Sequence, residues 1–193
     1  MDKLLKLEKY QLLHNSIYWC SMIGIFILGF FTADTYVTEV MGPTEEIASS
    51  LADIFNGMVY DSTFLLIIMS AILALILGQE FSKRTINLEI SAGHSRKRIF
   101  TSKIISYLIA FNVMALVYPV GGCIKEFGRF GIEDGGMFFY NIIKAILYSC
   151  LLNSAIFLIA ILVCCYLQDS IKATSVTAII ISVSYTHLRA HET

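Results

Sequence analysis

The sequence has little charge and almost no proline. Charged residues make up 15% of its 193 residues, and only two residues are proline. An average soluble domain has roughly 25% charged residues, so the sparse charge excludes an ordinary soluble domain. The scarcity of proline excludes collagen-like and proline-rich low-complexity chains. We predict no nucleic-acid partner.

Cysteine is also too sparse and too deeply placed for a disulfide scaffold. Of the five cysteines, Cys123 alone falls beside a predicted loop, and the other four fall within apolar runs. Cysteine in such runs usually behaves as a small hydrophobic residue. The sequence therefore predicts no disulfide framework.

Several motifs that carry chemistry are missing. The chain has no GxxxxGK[ST] phosphate-binding loop, and no HExxH, GxSxG or CxxC motif. These patterns mark nucleotide hydrolysis, zinc-dependent or serine-dependent hydrolysis, and thiol redox or metal chemistry. We predict that the chain is not an enzyme, and we predict no catalytic, metal or cofactor site.

What the sequence does have is long apolar runs. Hydrophobic residues make up 56% of the chain and the mean hydropathy is +0.71. The uncharged runs are 11–33, 62–79, 104–124, 145–168 and a shorter one from residue 173. At about 1.5 Å per residue, even the run 62–79 covers roughly 27 Å, close to the hydrocarbon thickness of a bilayer. The pattern predicts an all-α polytopic transmembrane helical bundle with four complete spans and a truncated fifth, embedded in a lipid bilayer.

Basic residues alternate between the predicted loops. Lys3, Lys6 and Lys9 precede the first span, whereas the loop 34–61 has no lysine or arginine. Six basic residues then fall within 80–103. Because lysine and arginine concentrate on the cytoplasmic side, the alternation places the N-terminus and residues 80–103 inside.

Three local signals predict structure near the ends of the spans. Leucines alternate with charges before residue 14, which is typical of a helix on the inner membrane surface that turns at His14-Asn15; a solvated tail is the alternative. Pro43 can begin an outer helix that contains apolar residues through Phe55. Pro119 is expected to end or kink the third span.

The last eleven residues do not continue the apolar pattern. Residues 183–193 resemble one translated frame of a sequencing-library adapter, so we interpret them as a non-native tail. His187 and His191 in this segment are then not expected to bind a metal. Residues 1–182 are expected to form one transmembrane domain that is incomplete at its C-terminus.

The most informative stretch is the inner loop, residues 80–103. It has an apolar side, Gly93 can supply a positive-φ turn, and Ser95 can cap a following helix. A basic helix lying on anionic lipid is the alternative interpretation.

The inner loop contains Glu80-Phe81, Thr85, Gly93, Ser95-Arg96 and Lys103. With these residues it resembles the loop between the second and third spans of type-2 permeases of ATP-binding-cassette (ABC) transporters. In that family the loop is the coupling element, so we call residues 80–103 the coupling segment. The resemblance implies a bacterial exporter permease in the cytoplasmic membrane that works with a separate cytosolic ABC ATPase and with a second permease copy or homologue. It also implies that ATP hydrolysis occurs on the partner and that the coupling segment docks there.

The candidate ATPase-coupling residues are therefore Glu80, Phe81, Arg84, Thr85, Leu88, Gly93, Ser95 and Arg96. Two intramembrane polar residues, Asn112 and Asn153, are expected to form hydrogen bonds between helices more readily than to bind substrate. A membrane scaffold or a signalling-complex subunit that binds no ATPase is the alternative function.

Overall fold

The computed structural model describes residues 2–38, 50–60, 62–83, 85–132 and 135–191. Over these residues the chain forms helices and no strand. The helices are α1 (Asp2–Leu13), α2 (Ser16–Thr38), α3 (Leu51–Tyr60), α4 (Thr63–Ser82), α5 (Thr85–Ser91), α6 (Arg96–Phe130), α7 (Gly135–Leu167) and α8 (Ser170–His191). The predicted all-α fold is confirmed.

Four of the described helices are long and apolar enough to cross a membrane. The candidate spans are Ser16–Val37, Phe64–Ser82, Arg96–Phe130 and Gly135–Leu167, and Ser170–Val183 is a shorter apolar helix. This agrees with four complete spans and a shorter fifth run. The chain is a polytopic helical membrane protein.

The first span begins later than the apolar run suggested. The run starts at residue 11, but the structure breaks between α1 and α2 at His14-Asn15, where the turn was predicted. The Asn15 side chain accepts a hydrogen bond from the Ile17 amide at 2.9 Å. Such a cap satisfies one of the free amides at a helix start, so α2 can begin at Ser16.

Pro119 was expected either to end or to kink the third span, and it does not end it. Helix α6 continues through it to Phe130, and Pro119 is fully buried. Proline is tolerated inside membrane helices when neighbouring groups pack around the break. The expected outer helix from Pro43 begins outside the described residues, although Phe55 is buried on α3.

The chain divides into two compact units. The first comprises Met1–Trp19, Phe64–Phe111 and Ser154–Thr193, and the second comprises Cys20–Thr63 and Asn112–Asn153. In the first unit, the rings of Phe111 and Phe157 stack with centroids 4.5 Å apart.

The second unit is packed through glycine. A Cβ atom added to Gly29 on α2 would lie 2.2 Å from the Tyr118 carbonyl oxygen on α6, and one added to Gly121 would lie 2.7 Å from the Phe26 carbonyl oxygen. Only glycine allows the backbones of α2 and α6 to approach this closely.

Candidate functional site around Lys103

A lysine in the first unit binds carboxylates from three other helices. Lys103 Nζ on α6 lies 2.7 Å from Glu8 Oε1 on α1 and 2.5 Å from Glu80 Oε2 on α4. It also lies 3.3 Å from Glu89 Oε1 on α5. These four residues, with Tyr107, form what we call the Lys103 cluster. One side chain thus links four helices.

Local helix geometry brings the donors of the cluster together. Lys103 and Tyr107 are four residues apart on α6, so their side chains lie on the same face of the helix. Tyr107 donates a hydrogen bond from its hydroxyl to Glu80 Oε1 at 2.7 Å. Both carboxylate oxygens of Glu80 are therefore bonded to α6.

The cluster is buried. The Lys103 side chain is 3% exposed and that of Glu8 is 0% exposed, and Glu80 is the most accessible of the three glutamates at 14%. Buried charges are tolerated only when they are paired and hydrogen-bonded. Removing the ammonium is therefore expected to destabilise the helices it connects.

Burial also changes the acidity of Glu8. It raises the pKa of the Glu8 carboxyl from its ordinary value of 4.5 to about 7, although the nearby Lys103 ammonium acts in the opposite direction. The negative charges of Glu80 and Glu89 add to the rise. Loss of water contact is the dominant cause, since it disfavours the ionised form.

An apolar layer packs beside the charges. Leu4, Ile86 and Ile99 form a buried cluster from α1, α5 and α6, and Phe81 and Ile90 pack against it. The Phe81 ring also lies 6.2 Å from the Phe100 ring, measured between centroids. Helix α5 is thus fixed to the unit by both apolar packing and the Glu89 ion pair.

The connections of α5 include the positive-φ turn at Gly93 and the helix start after Ser95 that were predicted from the sequence. Thr85 donates a hydrogen bond from its hydroxyl to the Glu80 carbonyl at 2.9 Å, which joins the end of α4 to the start of α5. Gly93 has a φ of +89°, a conformation that suits glycine, and it follows the end of α5. Ser95 directly precedes α6, and its carbonyl accepts hydrogen bonds from the Arg98 and Ile99 amides.

A small cavity adjoins the cluster. Its volume is about 180 Å³, and its lining includes Gln11, Glu80, Lys83 and Tyr107. Over the part of the chain that the structure describes, histidine, cysteine, aspartate and glutamate form no group suited to a metal ion.

A family described as ABC-2 family transporter protein matches residues 4–189, which include every member of the Lys103 cluster. The chain belongs to the ABC-2 transporter family. None of the curated proteins and none of the solved structures matches it.

Family membership gives the chain a role as the membrane permease component of an ABC transporter. Such a component is generally not catalytic itself, and the family implies an ABC ATPase as partner. The resemblance to type-2 ABC permeases, which was based on residues 80–103, is confirmed for the family and for the permease role.

The structure separates the predicted coupling residues of this ABC-2 permease into internal and exposed groups. Glu80, Phe81 and Thr85 make contacts within the first unit. Leu88 is 70% exposed, and Gly93, Ser95 and Arg96 are also exposed. Arg84 lies outside the described residues.

The two intramembrane asparagines are both in the second unit. Asn153 is buried and donates a hydrogen bond from its side chain to Ser149 Oγ, at 2.8 Å, within α7. Asn112 is half-buried on α6.

Three members of the cluster were not among the predicted site residues: Glu8, Glu89 and Tyr107. Lys103 was included only as part of the family-like pattern. A sequence signal did exist, since Lys103 and Tyr107 are one helical turn apart at the start of an apolar run. Lys103 lies within the candidate span Arg96–Phe130, and an ionisable residue inside a span is a hypothesis for a functional site.

Proposed function

We propose that this ABC-2 permease is an exporter subunit that couples to a separate cytosolic ATPase through the coupling segment, residues 80–103. It lies in a bacterial cytoplasmic membrane with its N-terminus inside, and it pairs with a second permease copy or homologue. ATP hydrolysis takes place on the partner ATPase.

The observation that carries the proposal is the attachment of α5. Glu89 joins α5 to Lys103 on α6, and the same ammonium joins Glu80 at the end of α4. A force applied to α5 therefore reaches two candidate spans through one side chain. Coupling between distant sites requires such a physically continuous set of contacts.

The exposed face of the segment supports docking. Leu88 is a large apolar residue in an exposed position, and the basic residues Arg96, Lys97 and Arg98 are exposed at the start of α6. An apolar anchor with surrounding charge suits a protein interface, in which a few residues supply most of the affinity. The partner surface is then expected to have an apolar pocket with acidic residues near it.

The orientation is supported by charge. Lys3, Lys6 and Lys9 lie on α1, and α1 belongs to the same unit as the basic coupling segment. Both basic regions are therefore expected on the cytoplasmic side. That side is where an ATPase can reach Leu88.

Two leucine substitutions test the docking. Leu88→Ala should lower the amount of ATPase that co-purifies with the full chain by about five-fold or more, since losing an interface anchor costs more than about 1 kcal/mol. Leu7→Ala is the matched control, because Leu7 is also an exposed leucine, 40% exposed on α1 and outside the segment. Membrane insertion should be normal in both variants.

The same experiment separates the rival functions. Unchanged ATPase association and unchanged transport in Leu88→Ala would remove the segment from the coupling role. If the wild-type chain itself co-purifies with no ATPase, the result instead favours the scaffold or signalling function.

A further inference from the structure

The charges of the Lys103 cluster do not balance. Three carboxylates surround one ammonium, so the fully ionised cluster has a net charge of −2. Within the described residues no second cation forms an ion pair with these glutamates. Lys83 lines the adjacent cavity beside Glu80, but it is exposed.

Two carboxylate oxygens of the cluster accept no hydrogen bond within the part of the chain that the structure describes. Glu8 Oε2 and Glu89 Oε2 are buried, and neither accepts a hydrogen bond from any described residue. The side chains of Glu8 and Glu89 are 0% and 7% exposed. An ionised carboxylate with a buried unbonded oxygen loses its hydration without compensation.

We propose that the Lys103 cluster is a proton-binding site, that Glu8 holds the proton, and that its release weakens the packing of α1 on α4, α5 and α6. The proton comes from water and adds to the Glu8 carboxylate. This inference concerns α1 and holds whether or not the coupling segment docks on an ATPase.

The groups that face Glu8 explain why it holds the proton. Glu80 from α4 and Glu89 from α5 contribute negative charge, and Lys103 from α6 contributes the opposing positive charge. Tyr107 donates its hydroxyl hydrogen to Glu80 rather than to Glu8. Glu8 is also the least exposed of the three carboxylates, so ionising it costs the most hydration.

The direction of the pH effect follows from the acidity of Glu8 in the two states. Burial raises its pKa to about 7, whereas Glu8 on an undocked α1 regains the ordinary value of 4.5. The docked state therefore binds more protons between these values, and docking weakens as pH rises. Its proton-linked stabilisation is fully present below pH 4.5 and is lost as pH rises through about 7.

Infrared difference spectroscopy tests for the proton directly. The full chain in lipid nanodiscs should show a carboxylic-acid C=O band that disappears near pH 7, and Glu8→Gln should lack this band. Glu126→Gln is the matched control, because Glu126 is a buried glutamate on α6 that pairs with Arg129 outside the cluster. Absence of the band in the wild type, or its persistence in Glu8→Gln, overturns the proposal.

Hydrogen exchange tests the consequence for α1. After correction for the intrinsic pH dependence of exchange, amide protection in α1 should fall by roughly 70-fold between pH 5 and pH 8.5 in the wild type, because the pKa of Glu8 is about 7 when α1 is docked and 4.5 when it is not. In Glu8→Gln the protection should not change with pH. If amide protection in α1 of the wild type does not change with pH, the proposal is contradicted. That part of the test uses only the wild-type chain and does not depend on whether a variant folds.

Discussion

The two compact units of this permease hold their helices together by different means. In the first unit, one buried ammonium binds carboxylates from three helices. In the second, α2 and α6 approach so closely at Gly29 and Gly121 that no side chain fits between them. The first contact is ionic and directional, and the second is steric.

The two kinds of contact differ in how their strength can vary. An ion pair can break, exchange partners or take up a proton, and each event alters its strength. A backbone contact at a glycine either forms or does not, because packed interfaces do not deform continuously. We infer that the first unit contains the element that responds to a partner and that the second unit maintains the arrangement of α2 and α6.

The largest expected effect comes from removing the ammonium. Lys103→Met should lower the free energy of unfolding by about 3–5 kcal/mol, because Glu80 and Glu89, and Glu8 where it is ionised, then lose their only ion-pair partner among the described residues. The measurement is unfolding of the purified chain in mixed micelles.

Lys125→Met provides the matched comparison. Lys125 pairs with Asp34, which is 64% exposed, so solvent screens this pair and the loss there should be much smaller than at Lys103. Equal losses for the two lysines would show that the Lys103 cluster contributes no more than a surface pair.

A smaller effect is expected from filling the contact between α2 and α6. Gly29→Ala should destabilise the chain by about 1–3 kcal/mol, because the added methyl group would collide with the Tyr118 carbonyl. Gly24→Ala on the same helix meets no atom within 4 Å and gains the same helix propensity. If both variants unfold alike in the mixed-micelle assay, the close approach is not stabilising.

The spans could be predicted from the sequence because each one contains a single continuous run of uncharged residues. The turn at Gly93 and the helix start after Ser95 were also correct, since both depend on neighbouring residues. The pairing of Glu8 with Lys103 could not be predicted, because the two residues are 95 positions apart and periodicity does not give the register between helices. Pro119 shows the converse, since a local signal that can end a helix did not end α6.

A still smaller difference in the free energy of unfolding is expected between the substitutions of two buried tyrosines, Tyr107 and Tyr118. Tyr107→Phe removes a hydrogen bond to the Glu80 carboxylate and should cost about 1.5–3 kcal/mol. Tyr118→Phe removes neutral hydrogen bonds to Thr32 Oγ1 at 2.9 Å and to Tyr36 at 3.3 Å, and should cost about 1 kcal/mol. Thermal unfolding in one detergent can rank the two variants, and a larger loss at Tyr118 would contradict the assignment of the stronger polar contacts to the first unit.

The central claim is that a cytosolic ATPase docks on α5. Photo-crosslinking at position 88 tests this claim most directly. A photoreactive amino acid replaces Leu88 in the full chain, and the same amino acid at Leu7 serves as the control. After irradiation of membranes that contain the transporter and its ATPase, the account predicts a crosslinked product with the ATPase from position 88 and little or none from position 7. No product from position 88, or equal products from both positions, would contradict coupling through α5.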